Sequence, residues 1–422
     1  MFEPEGRCGS LRVAVIARSV YPVHGVGGLE RHVHDLVRHL LARGARVTLV
    51  TRRPASSRTA KGILHPRLET VFLPYRTFPF AGRRGTTVLD RSTAYLVFGY
   101  RAGRVAATLS SRGEVDVVHG LGAASLGYAL AKRREQGAPA APFVFNPQGL
   151  EEFGATDATY AGSRAKRLAY LPLRRAVVTC ARAADCVIAT DRSLKSVVER
   201  HLAPSPDRVR IVPNAIDLDE IDACGDGDEL PGRLLERHGI GREEPVVLSV
   251  GRLERNKGFH VLAAALGRIA GQPWRWVLAG DGPMRRTIER AVDAQAIRRR
   301  VVFTGRVSEE DLHGWYRAAT LFVHPTLYEG SSLVTLEAMA HRLAVVGTSA
   351  GGLPDKIEPG VTGWLVPPGK DGELASAIEE ALSDRPRLDR MGIAGRAAVE
   401  RAFSWPVVAD MLFKVYQELV RA

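Results

Sequence analysis

The chain has 422 residues, 45% of them hydrophobic and 25% charged. That length fits two or three globular domains, each with a sizeable core, and no apolar run reaches the roughly 18–20 residues of a membrane helix. The net charge of +13 is uneven: residues 1–215 hold 33 Lys and Arg against 16 Asp and Glu, whereas the remainder holds 26 against 30.

The chain opens with acidic residues and a short apolar run, "LRVAVIA" (11–17), which reads as a buried strand rather than a signal peptide. "GVGGLERHVHDLVRHLLARG" (25–44) follows. Its Leu29, Val33, Leu36, Val37, Leu40 and Leu41 recur at helical spacing and Gly44 ends the helix. Further strands are expected at 46–51, 115–120, 142–147, 185–190 and 209–214. The basic, partly apolar stretch 76–113 reads either as a helical cover or as a membrane-facing surface. "NAIDLDEIDACGDGDELPG" (214–232), rich in Asp and Gly, reads as a linker. The pattern then restarts, with strands expected at 245–251, 274–282, 301–305, 320–326, 343–349 and 363–368. Short apolar strands alternating with helices predict parallel sheets covered on both faces, in two α/β domains. The expected boundaries are 1–215, 216–402 and a terminal helical segment 403–422.

Four cysteines, Cys8, Cys180, Cys186 and Cys224, form no C-x-x-C pair and no zinc-ligand spacing. They predict reduced thiols in a cytoplasmic protein. The basic front half suits an anionic partner: a phosphorylated substrate, a lipid headgroup or nucleic acid. No basic stripe interleaved with aromatics is present, so nucleic acid is not expected.

Candidate chemistry lies where strands end, because open α/β sheets bind ligands at their carboxyl edge. Gly27 and Gly28 precede the first helix, and glycine there lets a phosphate approach free amides; a bare tight turn explains them equally. The second domain's first strand ends at Gly251, with Arg252 and Lys257 close behind. Two cations there can hold a diphosphate and stabilise charge on a departing phosphate. The turn at 305–307, with Arg306 and Val307, lies at the same edge and can meet a base. In "HPTLYEGSSLVTLEAM" (324–339), Glu329 stands in a loop and Glu337 in the helix that follows. The amides of Ser332, Leu333 and Val334 would suit phosphate, and each carboxylate can accept from vicinal hydroxyls of a sugar or ribose. In the first domain His119 closes "VDVVHG", and Gln148 and Glu151 follow another strand. Each can bind an acceptor hydroxyl or serve the fold alone.

Taken together, these stretches resemble the family-four retaining glycosyltransferases, glycosyl transferases group 1. The resemblance rests on the Glu-x7-Glu pair in "EGSSLVTLEAM", on "VGRLERNKG", "LAGDGP", "GGLPDKIEPGVTGWLVPPG" and the early "GVGGLERHVHDLVRHL", in the expected order over nearly the whole chain. It implies the GT-B fold: two Rossmann-like, doubly wound parallel-sheet domains facing a cleft, with the C-terminal helix crossing back to the first. It implies transfer of a hexose-type sugar from a nucleotide-sugar donor, UDP- or GDP-linked, to an acceptor hydroxyl with retention. By the same resemblance Arg252 and Lys257 grip the diphosphate, Gly251, Arg306, Val307, Ser332, Leu333 and Val334 line the donor, and Glu337 takes the ribose. Glu329 contacts the donor sugar, Gly27 and Gly28 admit the diphosphate from the other domain, and His119 sits at the reaction centre. Gln148 and Glu151 fall to the acceptor, expected to be anionic or lipid-linked, with peripheral contact to the cytoplasmic membrane face. No cofactor and no metal are expected. "EGSSL" departs from a commoner Phe-Gly-type turn, and Asp355 stands where Glu is frequent. A nucleotide-sugar 2-epimerase and a non-catalytic nucleotide- or glycan-binding protein are the alternatives.

Overall fold

A computed structural model describes residues 10–25, 27–54, 64–77, 86–134, 141–147, 150, 153, 168–202, 205–223 and 229–422. The chain divides into two compact units, one of residues 1–213 with 408–422 and the other of residues 214–407.

The first unit carries strands β1 (Arg12–Ile16), β2 (Arg46–Arg52), β3 (Leu68–Leu73), β4 (Val117–Leu121), β5 (Phe143–Asn146), β6 (Cys186–Ala189) and β7 (Val209–Ile211). They form one parallel sheet in the order β3-β2-β1-β4-β5-β6-β7. Val13, Val15, Val117 and Val118 have no exposed surface, as a parallel sheet covered on both faces requires. The helix Gly28–Ala42 buries Val33, Leu36, Val37, Leu40 and Leu41, the stripe its spacing predicts. β3 has no counterpart in the expected strands. It is an edge strand whose six residues are all partly or fully exposed, so it lacks the apolar run by which a central strand is recognised.

Of the stretch 76–113, residues 78–85 lie outside the described residues, and the remainder is largely helical. Helix Ala94–Ser111 packs on Leu126–Arg134 through small residues: a Cβ on Gly103 would lie 2.2 Å from Tyr128 N, and one on Gly127 would lie 1.9 Å from Tyr100 O. Among the described residues, no helix is long and apolar enough to cross a membrane. Cys180 and Cys186 are buried free thiols, and burial pushes both up to about 12.

The second unit carries β8 (Val246–Val250), β9 (Arg275–Ala279), β10 (Val301–Gly305), β11 (Leu321–His324), β12 (Val345–Thr348) and β13 (Gly363–Val366). Its parallel sheet has the order β10-β9-β8-β11-β12-β13. In both sheets the winding direction reverses beside the unit's first strand, between β1 and β4 and between β8 and β11. This is the switch point at which doubly wound sheets open a crevice.

The units divide at 213/214 and 407/408, beside the expected 215/216 and 402/403. Ile216 bridges to Ser404, which anchors the stretch read as a linker inside the second unit, and Leu218–Ala223 and Leu230–Arg237 are helical. The final helix, Trp405–Arg421, starts in the second unit, and its residues from Val408 onward belong to the first.

His119 departs from its expected place. β4 runs on to Leu121, so His119 is the middle residue of five, in register with Val15 and Val144. It is 1% exposed and its Nδ1 meets the hydroxyl of Tyr416 on the final helix. A ring sealed in this way has no surface to offer a sugar. Burial, and more weakly His32, push its pKa down to about 3, while burial alone lowers His32 to about 4. Both are therefore neutral in the folded chain, whereas in the unfolded chain they take up protons below about pH 6.5. Folding stability from each is complete above pH 6.5 and is lost as pH falls toward the folded values. We expect the unfolding free energy of the first unit to fall between pH 6.5 and 4.5, by at most about 1.4 kcal/mol per pH unit per histidine. Urea titrations at stepped pH test this, and His119→Gln is expected to flatten the slope.

Candidate functional site

The second unit gathers its polar side chains at the carboxyl ends of β8, β11 and β12, around the switch point. After β8 the chain turns at Gly251 (φ 152°), passes Arg252, and forms a short turn Arg255–Lys257 that ends on Gly258. Gly258 has φ +68°, and a Cβ there would lie 1.9 Å from Pro325 O. Only glycine fits, because this loop lies directly on the one after β11.

Asn256 ties the two loops together. Its carbonyl accepts from Leu327 N at 2.6 Å and from Thr326 Oγ1 at 2.9 Å, and its side-chain amide donates to Tyr328 O at 3.2 Å. The next residue, Lys257, ion-pairs with Glu329, and the two side chains are 18% and 13% exposed. The loop after β12 closes the other flank. Gly351 (φ +56°) would place a Cβ 1.8 Å from Glu329 O, and buried Lys356 donates to Ser331 Oγ at 3.2 Å.

The helix Leu333–Ala340 begins where the sequence places it. Ser332 is its N-cap, and its hydroxyl accepts from Thr335 N at 3.4 Å. The amides of Leu333 and Val334 fall in the first turn, where an α-helix supplies no partner, and they carry its positive end. Leu333, Val334 and Glu337 are the partly open residues of this helix; Thr335, Leu336, Ala338 and Met339 are buried. The hydroxyl of Tyr316 donates to Glu337 Oε2 at 2.9 Å.

Electrostatics separate the two acids. Burial would raise the pKa of Glu329, but hydrogen bonding from His324 and the charge of Lys257 outweigh it and hold the group at about 2. It is a carboxylate at any physiological pH. His324 is pushed down by burial, with Lys257 and Lys356 adding to the shift against the pull of Glu329, so its ring is neutral.

The site residues read from the sequence therefore divide. Gly251, Lys257, Glu329, Ser332, Leu333, Val334 and Glu337 lie together around the β8–β11 switch. Arg252 is at the same edge but 76% exposed, with Glu254 3.0 Å away, so each of the two expected cations pairs with a carboxylate, one in the open and one largely buried. Exposed Arg306 and half-buried Val307 follow β10, two strands from β8. Gly27 and Gly28 open the first helix of the other unit, Gly27 as an extended N-cap with no side-chain bond. Gln148 and Glu151 lie outside the described residues. Residues of the site not singled out by sequence include Asn256, Tyr316, His324 and Lys356. His324 left a trace, as a polar residue closing an apolar strand; nothing in the spacing marks the others.

Two family models match the chain: Glycosyltransferase Family 4 over residues 26–220 and Glycosyl transferases group 1 over residues 244–384. The alpha-maltose-1-phosphate synthase of Mycolicibacterium smegmatis is 33% identical over 57% of this chain, and the chain spans 65% of that relative's length. The D-inositol 3-phosphate glycosyltransferase of Xylanimonas cellulosilytica is 27% identical over 97% of both chains. Among solved structures, the sucrose-phosphate synthase of Thermosynechococcus elongatus matches with a TM-score of 0.74 and 25% identity, covering 97% of this chain and 99% of that one. The Anabaena protein HepE, solved in complex with UDP-glucose, shares the fold at a TM-score of 0.70 and 18% identity, covering 97% and 100%. With a GT-B fold and matches to both halves, the chain belongs to the family 4, group 1 glycosyltransferases.

Proposed function

We propose that the chain transfers a hexose-type sugar from a UDP- or GDP-sugar to an acceptor hydroxyl, with retention at the anomeric carbon. The observation that carries this reading is the buried Lys257–Glu329 pair beside the capped start of helix Leu333–Ala340. A cation, two first-turn amides and an ionised carboxylate stand at one switch point. That set suits a diphosphate joined to a polyol. Lys257, exposed Arg252 and the helix dipole would take up charge as the diphosphate departs. Glu329 would accept from donor-sugar hydroxyls, and Glu337, steadied by Tyr316, would accept from the ribose. HepE binds UDP-glucose on the same fold, which supports a nucleotide-sugar donor.

In this reading the leaving phosphate takes the acceptor proton on the face from which it departs, and no side chain need act as nucleophile. The diphosphate charge is met by Arg252, Lys257 and the helix start, so the chemistry as proposed uses no metal. The acceptor falls to the first unit. The balance of +17 in residues 1–215 supports an anionic or lipid-linked acceptor and peripheral contact with an anionic membrane face.

Incubation with UDP-, GDP-, ADP- and dTDP-sugars should give slow release of free sugar from one of them, and the glycoside formed with an acceptor should keep the donor's anomeric configuration by NMR. Release of a sugar epimerised at C2 would overturn transfer. Glu329→Gln keeps the volume and removes the charge; it should lower kcat/KM by about 100-fold or more. Lys257→Ala is a less clean probe, since it leaves the Glu329 carboxylate buried without its cation and costs about 3–5 kcal/mol of stability. Turnover with a chelator present should equal turnover without it, and a loss restored by a divalent ion would place a metal in the reaction. Co-sedimentation with anionic vesicles should exceed that with zwitterionic ones and weaken from 50 to about 300 mM salt.

A further inference from the structure

The side chain that holds Glu329 from behind belongs to neither acid of the pair nor to the cationic loop. His324 is the last residue of β11 and is 1% exposed. Its Nε2 lies 3.2 Å from Glu329 Oε2, the oxygen that also meets Lys257 Nζ, with the ring N–H turned off the line of a hydrogen bond. Its Nδ1 lies 2.9 Å from Thr335 Oγ1 and 3.2 Å from Ser332 Oγ. Thr335 Oγ1 donates to Ser332 Oγ at 3.0 Å.

The neighbouring carboxylate fixes the ring tautomer. Carboxylate oxygens only accept, so Nε2 carries the hydrogen and Nδ1 must accept. Nδ1 then takes a hydrogen from the Thr335 or the Ser332 hydroxyl, which also bond each other. The contacts link these two hydroxyls to Nδ1 and Nε2 to Glu329, with a neutral ring in the middle. Ser332 and Thr335 are N-cap and N3 of helix Leu333–Ala340, so the chain couples the helix start to the carboxylate. Serine, histidine and glutamate in this order suggest a nucleophilic triad, but Ser332 is 3% exposed and its hydroxyl caps the helix at Thr335 N.

We propose that His324 is a positioning residue: a neutral Nε2–H imidazole, held at Nδ1 by the hydroxyls of the helix start, whose Nε2 edge 3.2 Å from Glu329 fixes that carboxylate beside Lys257. The proposal deepens the transfer reading and rests on it for its kinetic consequence. Its structural content stands on the contacts alone. Burial and the charges of Lys257 and Lys356 disfavour the imidazolium, which agrees with a neutral relay.

The test uses the full chain with His324→Leu, which keeps the volume without donors, and His324→Gln, whose amide can still donate toward Glu329. With the donor sugar that wild type turns over, His324→Leu should lower kcat about 10- to 100-fold, as for loss of one hydrogen bond to a charged group. The Kd for the nucleoside diphosphate should change less than about twofold, since the diphosphate contacts remain in place. His324→Gln should recover most of kcat. Wild-type kcat in His324→Leu, or equal losses in both variants that track their melting temperatures, would overturn the positioning role. Nitrogen-15 histidine NMR gives a reading independent of turnover. The proposal requires a neutral Nε2–H signal for His324 from pH 5.5 to 8 that shifts in Ser332→Ala. An Nδ1–H or doubly protonated ring would overturn it. If wild type turns over no nucleotide sugar while the NMR result holds, the transfer reading fails and the relay stands.

Discussion

The second unit is organised around one buried ion pair. Taking Lys257 and Glu329 out of water costs several kcal/mol for each charge, and their attraction offsets that cost only if the geometry is held and the other lone pairs are occupied. Much of the surrounding loop structure meets this requirement. Asn256 docks the cationic loop on the loop after β11, Gly258 and Gly351 allow backbone to lie on backbone, and His324 sets its Nε2 3.2 Å from the carboxylate. The result is an acid ionised at all physiological pH values, placed beside the positive end of a helix. A solvated pair would be screened and would lack a fixed position.

The two units use one topology differently. Each sheet reverses its winding beside its first strand, and each puts a helix start at that reversal. In the second unit the crevice is furnished with charge. In the first, the strand next to the reversal spends its polar residue inward, His119 on Tyr416, and leaves small residues, Gly120 and Gly122, toward its carboxyl end. The chemistry that the geometry supports is thus concentrated in one unit, while the other carries the positive balance.

Much of this organisation is legible in the sequence, for identifiable reasons. Central strands such as β4 and β8 are buried on both faces and read as continuous apolar runs; β3 is an edge strand and does not. The start of helix Leu333–Ala340 is marked by a serine cap before an apolar run, and Ser332 fills that role. Periodicity reports which face a residue takes, not what it touches. So His119 reads as a strand-end group although β4 continues past it, and Lys257 reads as a free cation although its partner is 72 positions away. Asn256 and Lys356 act through pairings between loops, and nothing local in a sequence encodes those.

The first unit includes the last residues of the chain, and this bears on synthesis. Leu412 and Tyr416 are buried within it, and Tyr416 completes the setting of His119 at the centre of the sheet. A ribosome delivers residues 1–213 first but supplies their closing segment only after all of the second unit. At about 5–20 residues per second, the nascent first unit waits on the order of 10–40 s with that flank uncovered. The second unit, continuous from 214 to 407, has every part of its sheet at hand as it emerges. In translation order the later unit is the one able to finish first, and the earlier keeps that flank open until residues 408–422 have been made.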